Sequence, residues 1–341
     1  MLSSNLTEAR GPSTAPLVSV ILPVYNDEDT IERSLGSLLE QTYENCEFIV
    51  VNDGSTDSTP KVVRGLASAE RRIRFVDIVH SGTSSAKNAG YALSSGPIIF
   101  FAEGDAIYEK DYVEKAVNCL ESSTKFGGVC VLGGIWEIRR TFVTRSIEAE
   151  NAIKHTLLHE GRMKPYFAWV FKREALDKVG LYDTSLKQAE DRDLFSRVTQ
   201  AGYQIGLVEG VHWRHRRYET AWQFAKKSFR KGANRIAFVS KGARVADFAR
   251  AVAGLWILIA LFLLSLTVSW MFAIVLTVGV VAILLFLYLR ILRLRLIASV
   301  PKVSLAILPF YQLLRYFSNG LGYTFGLVML LIRKARRSDE P

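Results

Sequence analysis

Short apolar runs alternate along residues 17–208 with segments that carry apolar residues at helical spacing. The runs that predict buried strands include Leu17–Leu22, Cys46–Val51 and Ile73–Val79. After the first run, an acidic start precedes apolar residues with the spacing of an amphipathic helix, at Ile31, Leu35, Leu38 and Leu39. Such alternation of strand and helix predicts an α/β fold with a mostly parallel, Rossmann-like sheet.

A run of four bulky apolar residues, Ile98–Phe101, ends in two carboxylates, Glu103 and Asp105. The run predicts a strand buried on both faces. Open α/β folds bind ligands at the carboxyl edge of the sheet, so these acids should lie beside residues that follow earlier strands, namely Tyr25, Asn26 and Asp53. An acid-x-acid pair there can hold a divalent cation that binds a diphosphate. The alternative is a polar strand end that enters a loop.

The later part of this region is less regular. Helices are predicted over 111–119, 142–158, 172–179 and 191–201, and strands over 127–139 and 165–171. Glu190 and Asp191 begin the last of these helices, where they serve catalysis or simply complement the helix dipole. His212 is expected beyond a last strand at 205–208, where it is either a metal ligand or part of a basic surface loop.

The chain has no charged residue from Ala251 to Leu289, which is long enough for two membrane passes of about 20 residues each. Residues 214–250 interleave aromatic residues with lysines and arginines, a pattern typical of helices in the membrane interface. The net charge of +10 is concentrated beside these apolar segments, which favours an anionic lipid bilayer over nucleic acid as partner. Basic flanks on both sides of the hairpin predict a cytosolic catalytic domain.

Residues 290–341 allow two interpretations. Val303–Ile332 is apolar but contains Pro309 and Asn319-Gly320, and a basic tail follows. A third membrane helix would leave that tail outside, so we favour interfacial or re-entrant helices. Gly322 and Gly326 predict close helix packing, within this chain or in a homo-oligomer. The cysteines Cys46, Cys119 and Cys130 lack paired or metal-type spacing, which suits a reducing compartment.

Five sequence blocks occur in a characteristic order: Val18–Asn26, Val51–Asp57, Ala86–Gly90, Glu103–Asp105 and Ala189–Asp191. In this order they resemble the nucleotide-sugar glycosyltransferases of family 2, which have a GT-A fold. The resemblance covers Leu17–Trp213. We therefore divide the chain into a disordered N-terminus (1–16), a GT-A catalytic domain (17–213), basic interfacial helices (214–250), a transmembrane hairpin (251–289) and a C-terminal region (290–341).

The resemblance also implies roles for individual residues. Those expected to bind the nucleotide sugar are Pro23, Tyr25, Asn26, Asp53, Lys87, Asn88 and Glu103. Asp105 is expected to bind Mn²⁺ or Mg²⁺, with Glu103 and His212 as further candidate ligands. Asp191, beside Glu190, is expected to act as the general base. Glu103 stands where the family usually has Asp, and Lys87 replaces an Arg, so the bidentate fork of a guanidinium is lost.

These features predict an inverting, metal-dependent transfer of one hexose from a nucleotide sugar to a hydroxyl of a membrane glycolipid. By analogy with lipid mannosyltransferases we favour mannose and GDP-mannose over UDP-hexoses. The processive Gln-x-x-Arg-Trp signature is missing, which favours single transfer. One alternative is a polyprenyl (dolichyl)-phosphate mannose or glucose synthase, because a phosphate acceptor needs no base. Another is a non-catalytic membrane scaffold that binds nucleotide sugar.

Overall fold

A computed structural model of the 341-residue chain describes residues 15–136, 141–165, 167–186, 190–216, 220–239 and 302–338, with positions 256, 278–279, 282 and 289. The chain divides into two compact units. Of the described residues, the first contains those up to Val131 together with Phe167–Tyr182 and Leu194–Val211. The second contains the described residues of the intervening segments and those from His212 onward.

The strands among the described residues form one sheet. In chain order they are β1 (Val18–Val24), β2 (Cys46–Asn52), β3 (Ile73–Asp77), β4 (Ile98–Phe101), β5 (Ala106–Tyr108), β6 (Phe126–Trp136), β7 (Val170–Lys172) and β8 (Gln204–Arg216). Their order across the sheet is β3-β2-β1-β4-β7-β6-β8-β5. Strands β1 to β4 pair in parallel, as predicted.

The helices of the first unit alternate with these strands. In chain order, the helices whose two ends the structure describes are α1 (Ile31–Leu39), α2 (Thr59–Ala69), α3 (Thr83–Leu93), α4 (Tyr112–Glu121), α5 (Phe142–His159), α6 (Arg173–Val179), α7 (Glu190–Gln200), α8 (Ala221–Val239) and α9 (Lys302–Ser338). The α/β prediction is confirmed. Apolar side chains from both layers form the core, among them Ile21, Ile49, Phe101, Phe171 and Leu194.

The sheet is mixed rather than mostly parallel, which corrects the sequence prediction. Strand β7 runs antiparallel to both β4 and β6. Its end lies beside the start of β4, where the Arg173 N–H donates to the Pro97 carbonyl at 2.8 Å. An apolar run indicates that a strand is buried but carries no information on its direction, so the pattern at 165–171 could not reveal this pairing.

The second unit contains helices α5, α8 and α9. Helix α9 is one continuous helix through Pro309 and Asn319-Gly320, and its interfacial or re-entrant placement, or its alternative as a third membrane helix, stays a prediction. Its packing against α8 is close: a Cβ at Gly322 would overlap the Phe229 carbonyl oxygen, and one at Gly326 would overlap that of Ala233. The predicted packing role of Gly322 and Gly326 is thus confirmed within this chain. Tertiary packing therefore overrides the local helix-breaking signals.

Over the parts of the chain that the structure describes, no helix combines the length and the apolar character of a membrane span. The predicted hairpin over 251–289 lies outside the described residues, apart from isolated positions. Residues 1–14, 240–250 and 290–301 also lie outside them.

Candidate active site

The loop after β1 is tied to the loop after β2 by one asparagine. Asn26 has a φ of 55°, a left-handed conformation that Asn tolerates better than most residues. Its side-chain oxygen accepts the Thr56 N–H at 2.8 Å, and its own N–H donates to Ser55 Oγ at 3.0 Å. The two loops predicted to meet at the carboxyl edge of the sheet therefore do so. Pro23, just before them, is partly buried in β1.

Asp53 points its carboxylate into the loop between β3 and α3. The residue is 3% exposed, and its two oxygens accept the N–H groups of Ser81 at 2.7 Å and Gly82 at 2.9 Å. His80 Nδ1 lies 3.0 Å from Asp53 Oδ2, and the His80 ring stacks on Tyr25 with ring centroids 4.3 Å apart. Sequence reasoning missed His80, although its place just after β3, at the same sheet edge, was an available signal.

The acidic turn after β4 is held by short polar contacts. The Glu103 N–H donates to Tyr108 Oη at 2.8 Å, and the Glu103 carbonyl accepts from Ser34 Oγ at 2.9 Å. Strand β5, which was not predicted, supplies Tyr108. Both acids, Glu103 and Asp105, are partly buried. These hydrogen bonds therefore fix the backbone of the turn that carries the two carboxylates.

A third acid, Asp27, joins this turn. A Cβ at Gly104 would lie 2.8 Å from Asp27 Oδ2, so only glycine allows this approach. Burial raises the pKa of Asp27 to about 6, and the negative charges of Asp105, Asp57 and Glu103 contribute to the rise, which a hydrogen bond from the Tyr25 backbone opposes. Burial is the largest cause of this rise, and the neighbouring carboxylates add to it. A cation bound beside these carboxylates would relieve it.

The metal prediction can be compared with this geometry. Within the described residues, no group of three or more His, Cys, Asp or Glu has the arrangement of a metal site. Mg²⁺, however, is commonly held by one or two carboxylates, with substrate phosphates and water as the remaining ligands. The acidic turn with Asp105, Glu103 and the nearby Asp27 fits such a partial site. Its donor set is oxygen only, which suits Mg²⁺ or Mn²⁺.

Lys87 and Asn88, at the middle of α3, both contact Tyr182. Lys87 is 3% exposed, and its Nζ lies 4.4 Å from the centroid of the Tyr182 ring and 5.3 Å from that of Trp169. The Asn88 amide donates to the Tyr182 carbonyl at 2.9 Å and accepts the Tyr182 N–H at 3.1 Å. Both side chains thus have structural contacts, and their binding to the nucleotide and diphosphate stays a prediction.

The remaining predicted residues belong to the second unit. Glu190 and Asp191 lie in the first turn of α7, both partly buried, and their catalytic role stays a prediction. His212 lies within β8 and not beyond it, which corrects the sequence expectation. The reason is that buried Val211 and Trp213 alternate with exposed neighbours, the pattern of a strand. The His212 ring lies parallel to that of His155, with centroids 6.2 Å apart.

Comparison with known proteins decides the family. The family described as "Glycosyl transferase family 2" matches residues 19–180, and "Glycosyl transferase family 21" matches residues 166–318. Residues 19–180 are therefore a glycosyltransferase family 2 domain. The matched segment contains the loops of Asn26 and Asp53, the Lys87-Asn88 pair and the acidic turn, so the resemblance inferred from these blocks is confirmed.

Relatives of the chain include two glycosyltransferases. It is 33% identical over 192 residues to the "Uncharacterized glycosyltransferase EpsJ" of Bacillus subtilis (strain 168), which covers 52% of this chain and 54% of EpsJ. It is 27% identical over 231 residues to the "Glycosyltransferase AglE" of Haloferax volcanii, which covers 66% of this chain and 74% of AglE. The chain therefore spans about half the length of EpsJ.

One solved structure shares the fold along most of the chain. The mannosyltransferase PcManGT from Pyrobaculum calidifontis, solved in complex with GDP-Man and Mn²⁺, superimposes with a TM-score of 0.59 at 18% identity. The match covers 91% of this chain and 89% of PcManGT. It shows that the mixed sheet and its helices form a GT-A-like fold.

Proposed function

We propose that the protein transfers a single hexose from a nucleotide sugar to a lipid acceptor at a membrane, with inversion at the anomeric carbon. The observation that carries the proposal is the sheet edge of the first unit, where Asp27, Glu103 and Asp105 gather beside the loops of Tyr25 and Asp53. This edge lies within a family 2 domain. An acidic turn that can hold a cation, beside the loops expected to bind the nucleotide, suits a donor whose leaving group is a nucleoside diphosphate.

Asp105 is the residue we assign to the divalent cation, with Glu103 beside it. Bound there, Mg²⁺ or Mn²⁺ would neutralise the negative charge that develops on the leaving diphosphate. The position of Asp27 beside this turn supports the assignment, because its carboxylate oxygen would lie 2.8 Å from a Cβ at Gly104 and adds a further acid next to Glu103 and Asp105. The fold shared with PcManGT, solved with GDP-Man and Mn²⁺, supports GDP-mannose as the donor and mannose as the transferred sugar.

Asp191 is the residue we assign as the general base. As the acceptor hydroxyl attacks the anomeric carbon, its proton passes to the carboxylate and the bond to the diphosphate breaks. Direct displacement of this kind inverts the anomeric configuration. An acceptor that is already anionic, such as a polyprenyl phosphate, would not need this base, so a synthase of sugar phosphates remains the alternative function.

Surface residues of the second unit support a lipid acceptor. Trp222 of α8 is 76% exposed, in a segment that also carries Lys226, Lys227 and Arg230. Helix α9 exposes several large apolar side chains, including Phe310, Leu321, Phe325, Val328 and Met329. Exposed apolar residues beside basic ones suit the interface of an anionic membrane. We accordingly propose a membrane-bound protein whose catalytic domain faces the cytosol.

The test is transfer of labelled sugar from GDP-mannose, UDP-glucose and UDP-galactose in turn to native membrane lipids. We expect transfer from GDP-mannose, loss of transfer after chelation of divalent metal, and recovery with Mn²⁺ or Mg²⁺. Asp105→Asn should lower the rate about 10²- to 10³-fold and Asp191→Asn about 10²- to 10⁴-fold. Asp111→Asn, a charge-matched change at the N-cap of α4, should leave the rate unchanged.

The product and the variants separate the alternatives. A product stable to mild acid is a glycoside and supports a hydroxyl acceptor, whereas an acid-labile product is a sugar phosphate and supports the polyprenyl-phosphate synthase. Full activity of Asp191→Asn would show that this carboxylate is not the base. Nucleotide-sugar binding without any transfer would favour the non-catalytic scaffold.

A further inference from the structure

The loop after β3 places His80 beside two residues assigned to the nucleotide. The His80 ring stacks on Tyr25, with an angle of 27° between the ring planes, and its Nδ1 contacts Asp53. Resting on the proposed function, we infer that His80 recognises the nucleobase of the donor and that Asp53 acts behind it as a positioning residue.

Asp53 has little carboxylate left for a ligand. Its oxygens accept from the backbone of Ser81 and Gly82 and contact His80 Nδ1, and the side chain is 4% exposed. In contrast, the side chain of His80 is 55% exposed. A ligand that reaches this edge therefore meets the histidine, while the aspartate fixes the loop that carries it.

The contacts of His80 fix which ring nitrogen holds the proton. Nδ1 lies 2.9 Å from the Asp53 carbonyl oxygen and 3.0 Å from Asp53 Oδ2, and both oxygens are acceptors. We therefore assign the proton to Nδ1. In the neutral ring the opposite nitrogen, Nε2, is then a hydrogen-bond acceptor. Guanine and uracil offer a ring N–H to such an acceptor, whereas adenine and cytosine offer it only an exocyclic amino group.

Tyr25 and His80 also offer a surface for stacking. Tyr25 is 44% exposed, so the pair leaves aromatic surface open to solvent. Gly54, with a φ of +69°, permits this placement, since a Cβ there would lie 3.0 Å from the His80 backbone nitrogen. Stacking of a base on an aromatic side chain contributes about 1–3 kcal/mol. The pair thus combines a stacking surface with one hydrogen-bonding atom that distinguishes bases.

Calorimetric binding of GDP, UDP, ADP, CDP and inorganic diphosphate, each with Mn²⁺, tests the inference. We expect the wild-type protein to prefer GDP or UDP over ADP and CDP. His80→Ala should weaken binding of the preferred nucleotide about tenfold or more, the size of one lost stacking and hydrogen-bonding contact, and leave inorganic diphosphate unaffected. His80→Phe keeps a flat ring and should bind nucleotides with much less preference between bases.

Val79→Ala is the matched control, because Val79 adjoins His80 and is 86% exposed. It should bind all ligands like the wild type. If the wild type binds nucleotides and both His80 variants keep its affinities and base preference, the role of His80 is refuted while the proposed function stands. Equal weakening of nucleotide and inorganic diphosphate would also refute it. If the wild type binds no nucleotide diphosphate, the proposed function itself fails.

Discussion

The sheet edge of the first unit and the helices of the second are held by different means. At the edge, polar side chains bind the backbone of neighbouring loops, as Asn26 does at Thr56 and Asn88 at Tyr182. In the helical unit, α8 and α9 approach so closely at Gly322 that no side chain fits between them. Arg315 of α9 adds an ion pair with Glu150 of α5 at 2.9 Å.

Because of this difference, we expect substitutions in the two regions to have different effects. A polar tether at the edge also positions residues assigned to the ligand, so its loss should change both stability and binding. The close backbone contact between α8 and α9 involves no residue that we assign to the nucleotide sugar. Its loss should therefore change stability alone. The predictions below test this separation.

The largest effect is expected at the helix contact. Gly322→Ala should lower the free energy of unfolding of the second unit by about 3 kcal/mol, the upper end of overpacking costs, because the new methyl group meets the Phe229 carbonyl rather than a flexible side chain. Thermal unfolding measures the loss. Nucleotide binding below the unfolding temperature should be unchanged.

Gly36→Ala is the matched control. Gly36 also lies inside a helix, α1, and a Cβ there would meet no atom within 4 Å. Alanine should therefore stabilise the protein by about 0.5–1 kcal/mol through its higher helix propensity. If both alanine variants were stabilised alike, the close approach of α8 and α9 would be wrong.

A smaller effect is expected at the sheet edge. Asn88→Ala removes two hydrogen bonds to the Tyr182 backbone and should cost about 1–3 kcal/mol, with a parallel loss of donor affinity because Tyr182 also contacts Lys87. Asn118→Ala, on the exposed face of α4, should stay within about 0.5 kcal/mol of the wild type. Weaker donor binding at unchanged stability would instead mean that Asn88 contacts the ligand directly.

The sequence anticipated those parts of the fold that depend on local patterns. Strands β1 to β4 and the helices between them follow from runs of buried residues and from apolar residues at helical spacing. The antiparallel direction of β7 and the continuity of α9 through Pro309 depend on contacts between distant segments. Such contacts leave no local signal, although Gly322 and Gly326 did indicate the packing that keeps α9 whole.

The candidate site shows the same division. Asn26, Asp53, Glu103 and Asp105 could be placed at one sheet edge because each follows a predicted strand. Asp27 joins the acidic turn because its carboxylate lies close to Gly104. This contact between separate loops becomes visible only in the folded chain. Likewise, the sequence could not show that the carboxylate of Asp53 is directed at the backbone of Ser81 and Gly82.

The smallest predicted effect is the response of the two units to acid, which should be opposite in sign. In the second unit, burial and the neighbouring His212 lower the pKa of His155 from 6.5 to about 4. Between these values the unfolded chain binds a proton that the folded chain does not, so stability falls as pH falls. In the first unit, the pKa of Asp27 rises from 3.8 to about 6, so the folded chain binds the proton more tightly.

Acidification from pH 6.5 to 4 should thus weaken the second unit and strengthen the first, each by about 1–2 kcal/mol after allowance for partial exposure. Thermal unfolding of the wild type, His155→Gln and Asp27→Asn across this pH range measures both changes in stability. His155→Gln should reduce the loss of stability on acidification, because its side chain no longer titrates. Asp27→Asn should enlarge that loss, because the compensating gain disappears. Shifts of the same sign in the two variants would show that the regions do not differ in this way.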